Sequence, residues 1–467
     1  MFKTKFYFFC GIGGSGMLPL ASIVRAQGHA VSGSDRSLDQ GRLADKFDYL
    51  EQQGIALFRQ DGSGITGAEQ ILVTSAAVEE TIPDVVAARR LGLAHVTRAQ
   101  LLAELFNAAP TAIGVAGTSG KSTVTGMIGW ILHTAGRGPT VMNGAVMKNF
   151  VGPQAPYASA LAGTGDAFVS EVDESDGSIA HYRPRIAVLN NISLDHKSME
   201  ELRALFGAFV ERAETAVFNL DDPEARLLAA KAPPEQRRTF SLLDPAADFF
   251  GSDIEEAPLA ISLRVHARGE DRPIPLRLQV PGRHNAANAL AALAATAAAG
   301  ITPAQGAEAL ASFAGLRRRF EVVGTRNGVS VIDDFGHNPD KIAATLKTLQ
   351  AFPGRLLIFF QPHGFGPLKV MKDELVACFA DNMAGDDILL LSDPAYFGGT
   401  TDRSVGSADI VAGVRAAGKA AEHIAERAEC GRRLVELARP GDRIIVMGAR
   451  DDTLSQFAAE LLDAVAA

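Results

Sequence analysis

One stretch constrains this chain more than any other: Gly114-Val115-Ala116-Gly117-Thr118-Ser119-Gly120-Lys121-Ser122-Thr123, lying between a strand-like run (Thr111 to Val115) and a helix-like run (Val124 to Thr134). Its end, T-S-G-K-S-T, matches the working half of the phosphate-loop pattern G-x-x-x-x-G-K-[ST], although valine stands at 115 where that pattern has its first glycine. Backbone N–H groups that open onto a helix N-terminus attract phosphate, because the amides and the helix dipole face the same anion. In that setting Lys121 reaches the β- and γ-phosphates of ATP and the Ser122 hydroxyl meets Mg2+, with Gly117, Thr118, Ser119, Gly120 and Thr123 in the cradle. The plainer alternative is a glycine-rich strand-to-helix turn that happens to carry a lysine.

A chain of 467 residues exceeds one ordinary core, and about three domains is the natural expectation. With 47% hydrophobic and 21% charged residues it reads as globular rather than disordered. The formal charge of −9 argues against nucleic acid as the main partner, while leaving small anions open. Cys10, Cys378 and Cys430 are odd in number and far apart, which fits a reducing compartment. The apolar run Phe6 to Ile12 is too short to span a membrane, so a cytoplasmic location and no membrane partner are expected.

The first region opens with a buried strand over residues 6 to 10 that enters Gly11-Ile12-Gly13-Gly14-Ser15-Gly16-Met17. This is G-x-G-x-x-G at a strand-to-helix junction, followed by a helix over Met17 to Gln27 and a strand over His29 to Gly33 that ends at Ser34-Asp35. An acidic residue about twenty positions past such glycines often holds a ribose hydroxyl, so an NAD-dependent oxidoreductase stays open at this point. Any diphosphate can use the same turn. A strand over Gln70 to Thr74 leads to Ser75, a helix follows near Asp84 to Leu91, and an amphipathic helix over Thr97 to Leu105 runs to the linker Ala108-Ala109-Pro110. The first domain thus covers residues 1–109.

The central domain, 110–315, carries a strand over Asp166 to Val172 ending in Glu171-Val172-Asp173-Glu174-Ser175-Asp176, and another over Ile186 to Asn191 followed by Ser193-Leu194-Asp195-His196. Acidic residues where a strand leaves a parallel sheet beside a phosphate loop are placed to hold a nucleotide's Mg2+. Glu171 and His196 are the candidates; a solvated acidic turn and a structural histidine are the plainer readings. Residues 215 to 280 read as shorter strands with charged turns. Arg283-His284-Asn285-Ala286-Ala287-Asn288 precedes an alanine-rich helix over Ala289 to Ala299, and its polar residues either cap that helix or reach a ligand. The third domain, 316–467, alternates strand and helix again, with polar clusters after its strands at Asp333-Asp334-Phe335-Gly336-His337-Asn338, Gln361-Pro362-His363 and Gly448-Ala449-Arg450-Asp451. The fold class is α/β in three domains: Rossmann-like, phosphate-loop ATPase, Rossmann-like.

Taken together these motifs resemble the Mur ligase family, and within it the branch that joins L-alanine to UDP-N-acetylmuramate. The ordered set runs nearly the whole chain: GIGGSGM, SGSD, the TSA run, GTSGKST, EVDESD, NNISLDH, GRHNAANALAA, RRRFE, DDFGHNP, QPH and VMGARDD. The resemblance implies an ATP- and Mg2+-dependent ligase that forms an amide through an acyl phosphate, releasing ADP and phosphate. It implies that Gly13, Gly14, Ser15, Gly16, Ser34, Asp35 and Ser75 serve the UDP-linked sugar acid, and that Lys121, Ser122, Glu171 and His196 serve ATP and metal. Asn288 would meet adenine, Arg319 and Asp334 would close over ATP, and His337, His363 and Arg450 would lie toward the amine. Ligase chemistry on another acid, such as a folate or an amino-acid polymer, and a catalytically idle binding protein are the remaining alternatives. A monomer or homodimer is expected.

Departures from the family pattern fall on the amine. Ser119 replaces a histidine in the phosphate loop, Asn338 replaces a second histidine, and the late GAGD-like motif carries Arg450. Where the branch has two arginines after QPH, this chain has Gly364 and Pro367, neither of which carries a side-chain donor. Arg450 or Lys369 is a candidate for the missing cation. The amine is therefore expected to be something other than L-alanine held in the usual way.

Overall fold

The computed structural model describes residues 4–194, 197–395, 402–449, 451 and 453–465. The chain forms two compact units, residues 1–255, 262–278 and 283–314 in one, and 256–261, 279–282 and 315–467 in the other. Among the described residues no helix is long and apolar enough to cross a membrane.

The first unit holds two sheets. In the smaller, five parallel strands stand in the order Ala56–Phe58, Ala30–Ser34, Phe6–Cys10, Gln70–Thr74, Ala94–Thr97. The central strand is covered on both faces, which is why it reads FYFFC without polar alternation and why Phe8, Phe9 and Cys10 are fully buried. Its end delivers the first glycine loop to the carboxyl edge of the sheet, ahead of the helix Met17–Ala26.

The larger sheet has ten strands, and Thr111–Ala116 lies near its middle, parallel to Ala167–Glu171 on one side and Ile186–Leu189 on the other. Three strand ends therefore meet at one edge: the phosphate loop, the acidic turn and Asn190-Asn191. Gly114 is needed there, since a Cβ on it would come within 2.9 Å of Phe209 Cζ. The helix Lys121–Thr134 leaves the loop and packs against Arg283–Ala298. That second helix begins six residues before the expected Ala289, so Asn285 and Asn288 are buried within it rather than standing in front of it. Alanines set 3–4 apart give it small faces on every side, which is why it can be enclosed. Strands in the 215–280 region also prove longer than expected, Phe249–Ala257 having 9 residues and Ala260–Ala267 having 8.

The two sheets share one core. Phe106, from the helix Arg98–Asn107, meets Phe168 of the larger sheet at 5.9 Å between ring centroids and Tyr182 at 5.1 Å. Asn107 fixes the same junction, donating to His181 O at 2.9 Å and accepting from Arg183 N at 2.8 Å.

The second unit is a six-stranded sheet in the order Glu321–Arg326, Val329–Asp334, Arg443–Gly448, Leu356–Gln361, Ile388–Leu391, Ala420–His423. All neighbours are parallel except the first pair, an antiparallel edge hairpin. Asn327 (φ 50) and Gly328 (φ 77) make its tight turn, as positive φ at both central residues demands.

Candidate active site

The phosphate loop is held open by its neighbours rather than by its own glycines alone. Asn191 Oδ1 accepts from Thr118 Oγ1 at 2.9 Å and from the Ser119 amide at 2.8 Å, while Asn191 Nδ2 donates to Ser119 O at 3.1 Å. Asn190 Nδ2 donates to Ser119 O and to Asn288 Oδ1, each at 3.0 Å. Gly120 sits at φ +83, where a Cβ would be 2.7 Å from Asn288 Oδ1 and would also collide with Asn190. The loop, the strand end and the alanine-rich helix are thus one hydrogen-bonded assembly.

On its other side stands the acidic turn. Ser122 Oγ donates to Glu171 Oε2 at 2.8 Å. Lys121 Nζ donates to Gly117 O at 2.6 Å and to Glu174 Oε2 at 3.1 Å, and Glu174 is only 4% exposed. Asp173 lies in the same turn: burial pushes its carboxyl up, but the Ser175 amide and hydroxyl and the charges of Lys121 and Arg98 hold it below the ordinary carboxylate range. Of the expected residues, Lys121, Ser122, Glu171 and Asn288 are brought together with Gly117, Thr118, Ser119 and Gly120. Thr123 follows on the first helical turn. His196 lies outside the described residues.

The residues fit a magnesium nucleotide. A hydroxyl and a carboxylate in contact are the hard oxygen donors Mg2+ takes, and that ion keeps several waters rather than requiring an all-protein cage. Among the described residues no group of three or more His, Cys, Asp or Glu side chains stands ready to hold a metal ion. The cradle also depends on missing side chains, because a Cβ on Gly144 would overlap the Glu171 carboxylate.

Around the first glycine loop, Gly14 and Ser15 are exposed and Gly13 is buried. Asp35 accepts from the Gly13 amide at 2.9 Å and from the Ser37 amide at 2.8 Å, so it fixes the loop and caps the next helix. Ser34 points inward instead, its hydroxyl 2.5 Å from the fully buried Asp84, and Ser75 is half-buried at the end of Gln70–Thr74.

In the second unit Asp334 is committed to its own neighbourhood, accepting from Phe320 N at 2.8 Å, Gly336 N at 3.0 Å and Thr345 Oγ1 at 2.9 Å. The Arg319 guanidinium lies 4.3 Å from the Phe335 ring centroid. His337 and His363 pack edge to face at 5.2 Å, and His337 Nδ1 is 2.9 Å from Phe335 O. Burial, with a contribution from the Lys341 charge, pushes the His337 imidazole down to about 4. Gly364, at φ 143, precedes the short helix Phe365–Val370 that contains Pro367 and Lys369. Lys369 is paired with Asp402, and the Arg403 guanidinium lies 5.3 Å from the Phe365 ring centroid. Arg450 lies outside the described residues.

Asn190, Asn191 and Glu174 escaped the sequence reading as site residues. The available signal was a pair of asparagines where a buried strand ends beside the strand of the phosphate loop.

Family profiles match in three blocks: the Mur ligase family catalytic domain over residues 7–109, the Mur ligase middle domain over 115–296, and the Mur ligase glutamate ligase domain over 318–450. The UDP-N-acetylmuramate–L-alanine ligase of Agrobacterium fabrum is 34% identical over 470 residues, covering 97% of this chain and 95% of its own. The enzyme of the same name from Paracoccus denitrificans is 34% identical over 472 residues with the same coverage of 97% and 95%. Among solved structures, the UDP-N-acetylmuramate–alanine ligase of Thermotoga maritima shares the fold with a TM-score of 0.76 at 23% identity, covering 98% of both chains. A murein peptide ligase from Psychrobacter arcticus does so with a TM-score of 0.71 at 24% identity over 99% of both. These relatives give no support to an oxidoreductase. On three matched domains and full-length likeness, the chain belongs to the Mur ligase family of ATP-dependent acid–amine ligases.

Proposed function

We propose that the acid is UDP-N-acetylmuramate or a close UDP-linked sugar acid, that Mg2+ accompanies ATP, and that the chain divides functionally into residues 1–109 for the UDP substrate, 110–315 for ATP and 316–467 for the amine. The observation that carries this reading is the contact of Ser122 with Glu171 beside Lys121, in the same compact unit as a second glycine loop. Bound ATP supplies the phosphoryl group that turns an unreactive carboxylate into an acyl donor. Lys121 would offset charge on that group, and Ser122 and Glu171 would hold the metal, so that the protein contributes placement and electrostatics rather than a nucleophile. The loop Gly13 to Gly16 meets the diphosphate at the start of the helix Met17–Ala26; Asp35 holds the Gly13 amide and Gly11 O the Gly14 amide, which keeps the loop in shape and leaves Ser15 and Gly16 as the amides turned to the ligand. Asn288 and Asn190 line the side of the loop where the nucleotide base would lie.

The amine is gripped without the paired arginines of the family pattern. Gly364 and Pro367 offer no side-chain donor, and Lys369 is engaged with Asp402. His337 and His363 supply the polar surface of that region. The test is release of ADP from ATP and Mg2+ with UDP-N-acetylmuramate and a panel of amino acids, peptides and simple amines. Turnover is expected only when acid and amine are both present, with folates inactive as the acid. If no acid–amine pair releases ADP, the assignment is lost; brisk turnover with L-alanine at low concentration would refute the altered grip alone.

A further inference from the structure

Two cations from different sheets end on one acidic turn. Lys121, from the phosphate loop, is held by Glu174, and Arg98, from the start of the helix Arg98–Asn107, pairs with Asp176 at 3.7 Å. Arg98 also lies along the first glycine loop: a Cβ on Gly16 would be 3.1 Å from its Cδ and 3.4 Å from one of its terminal nitrogens. The turn between the two carboxylates is stitched internally. Asp173 accepts from Ser175 N at 2.9 Å, Asp176 accepts from Ser178 N at 2.8 Å, Gly177 N donates to Glu174 O at 3.2 Å, and Ile179 N donates to Asp173 O at 3.2 Å. These bonds tie residues 173 to 179 into one hydrogen-bonded turn. Both cations also act on the Asp173 carboxyl, so they share one field.

We infer that the turn 171–176 couples the two phosphate-binding loops, with Arg98 as the cation recruited by a diphosphate at the first loop and Asp176 as the carboxylate it leaves. This rests on the proposal that the first loop takes a nucleoside diphosphate. The guanidinium beside Gly16 has a diphosphate as a stronger partner than one half-exposed carboxylate, since phosphate accepts from Arg in paired hydrogen bonds. Turning toward it withdraws positive charge from the acidic turn. Glu171 then presents a more negative field to Mg2+, and the magnesium nucleotide binds more tightly. Linkage makes the effect mutual, so the nucleotide tightens the diphosphate by the same factor.

Titration calorimetry with UDP, and separately with a non-hydrolysable ATP analogue plus Mg2+, tests this on the full chain. In the wild type, saturating UDP should tighten the analogue by about 5-fold or more. Arg98→Ala should weaken UDP by about 10- to 100-fold, the scale of a lost charge-assisted contact, without weakening the analogue measured alone. Asp176→Asn should keep UDP binding and bring the coupling ratio to about 1, while Arg98→Lys should restore part of it; melting temperatures check that each variant is folded. A wild-type ratio of 1, or an Asp176→Asn variant with the wild-type ratio, overturns the inference and leaves the UDP assignment standing. If wild type binds the analogue but not UDP, the inference and the UDP assignment fall together.

Discussion

The Ser122 hydroxyl donates to the Glu171 carboxylate at 2.8 Å, joining the first turn of one helix to the end of the adjacent strand across 49 residues of sequence. Neither residue needs the other for folding alone, since the parallel strands Thr111–Ala116 and Ala167–Glu171 are already aligned by their ladder. The contact leaves a hydroxyl and a carboxylate facing one point at the carboxyl edge of the sheet. Glu171→Gln keeps the shape and removes the charge. ADP formation should fall by about 100-fold or more, the scale for deleting one preorganised electrostatic contact, with little change in melting temperature. A Mg2+ titration in the ADP-release assay checks it; a variant with wild-type rate at ordinary Mg2+ would remove Glu171 from the metal.

Gly120 offers a test that does not touch a polar group. Its φ of +83 costs an L-residue about 1–2 kcal/mol, and the added methyl would press on Asn190 and Asn288, the pair that ties the loop to the alanine-rich helix. Gly120→Ala should therefore lower the melting temperature of the first unit and abolish measurable binding of an ATP analogue. Fluorescence of the single tryptophan, Trp130, lies in the adjoining helix and reports both. Analogue binding within a few-fold of wild type would show that the cradle is not shaped as described.

Arg318, rather than its neighbour Arg319, is a structural arginine of the second unit. It is 7% exposed, adopts φ 58, pairs with Asp333 at 3.4 Å, and donates to Asp451 O at 2.9 Å and Gly448 O at 2.7 Å. Burial pushes the Asp333 carboxyl up to about 6, and the Arg318 charge opposes that rise. Arg318→Met leaves Asp333 buried without its cation, with the Ser455 hydroxyl still donating to it, which should destabilise this unit by about 3–5 kcal/mol. Hydrogen exchange in the strand Val329–Asp334 is the direct measurement, and unchanged protection there would contradict the account.

The order of strands and helices was readable because each sheet is mostly parallel and doubly covered: runs such as FYFFC and LLIFFQ, punctuated by glycine loops, leave little alternative. The phosphate loop and Glu171 were readable for the same reason, since both sit where such runs stop. What escaped was lateral. Asn191 reaches Ser119 across 72 residues, Asn190 reaches Asn288 across 98 and Glu174 reaches Lys121 across 53, and no local periodicity encodes which strand ends become neighbours. The start of the helix Arg283–Ala298 was misplaced because Arg, His and Asn resemble a cap when their burial against a phosphate loop is unknown. Of the three consecutive arginines at 317–319, pattern alone gave no reason to send the middle one inward.

His337 carries the last prediction. Its imidazole is pushed down to about 4, chiefly by burial and then by the Lys341 charge, against an ordinary value near 6.5. Between these two values the unfolded chain binds a proton at this position that the folded chain refuses. Stability from His337 is therefore complete above about pH 6.5 and is lost as the pH falls through 4. At neutral pH the ring is uncharged, and the 2.9 Å contact with Phe335 O places the proton on Nδ1, which leaves Nε2 as the acceptor nitrogen. An acceptor suits the amine region proposed for this part of the chain, where an imidazolium would repel an ammonium group. Nitrogen-15 NMR of labelled histidine should show His337 neutral at pH 6 with its proton on Nδ1, and a His337→Gln variant should lose less stability than wild type between pH 6.5 and 4. A ring that titrates near 6.5 would place His337 in water and remove it from the amine region.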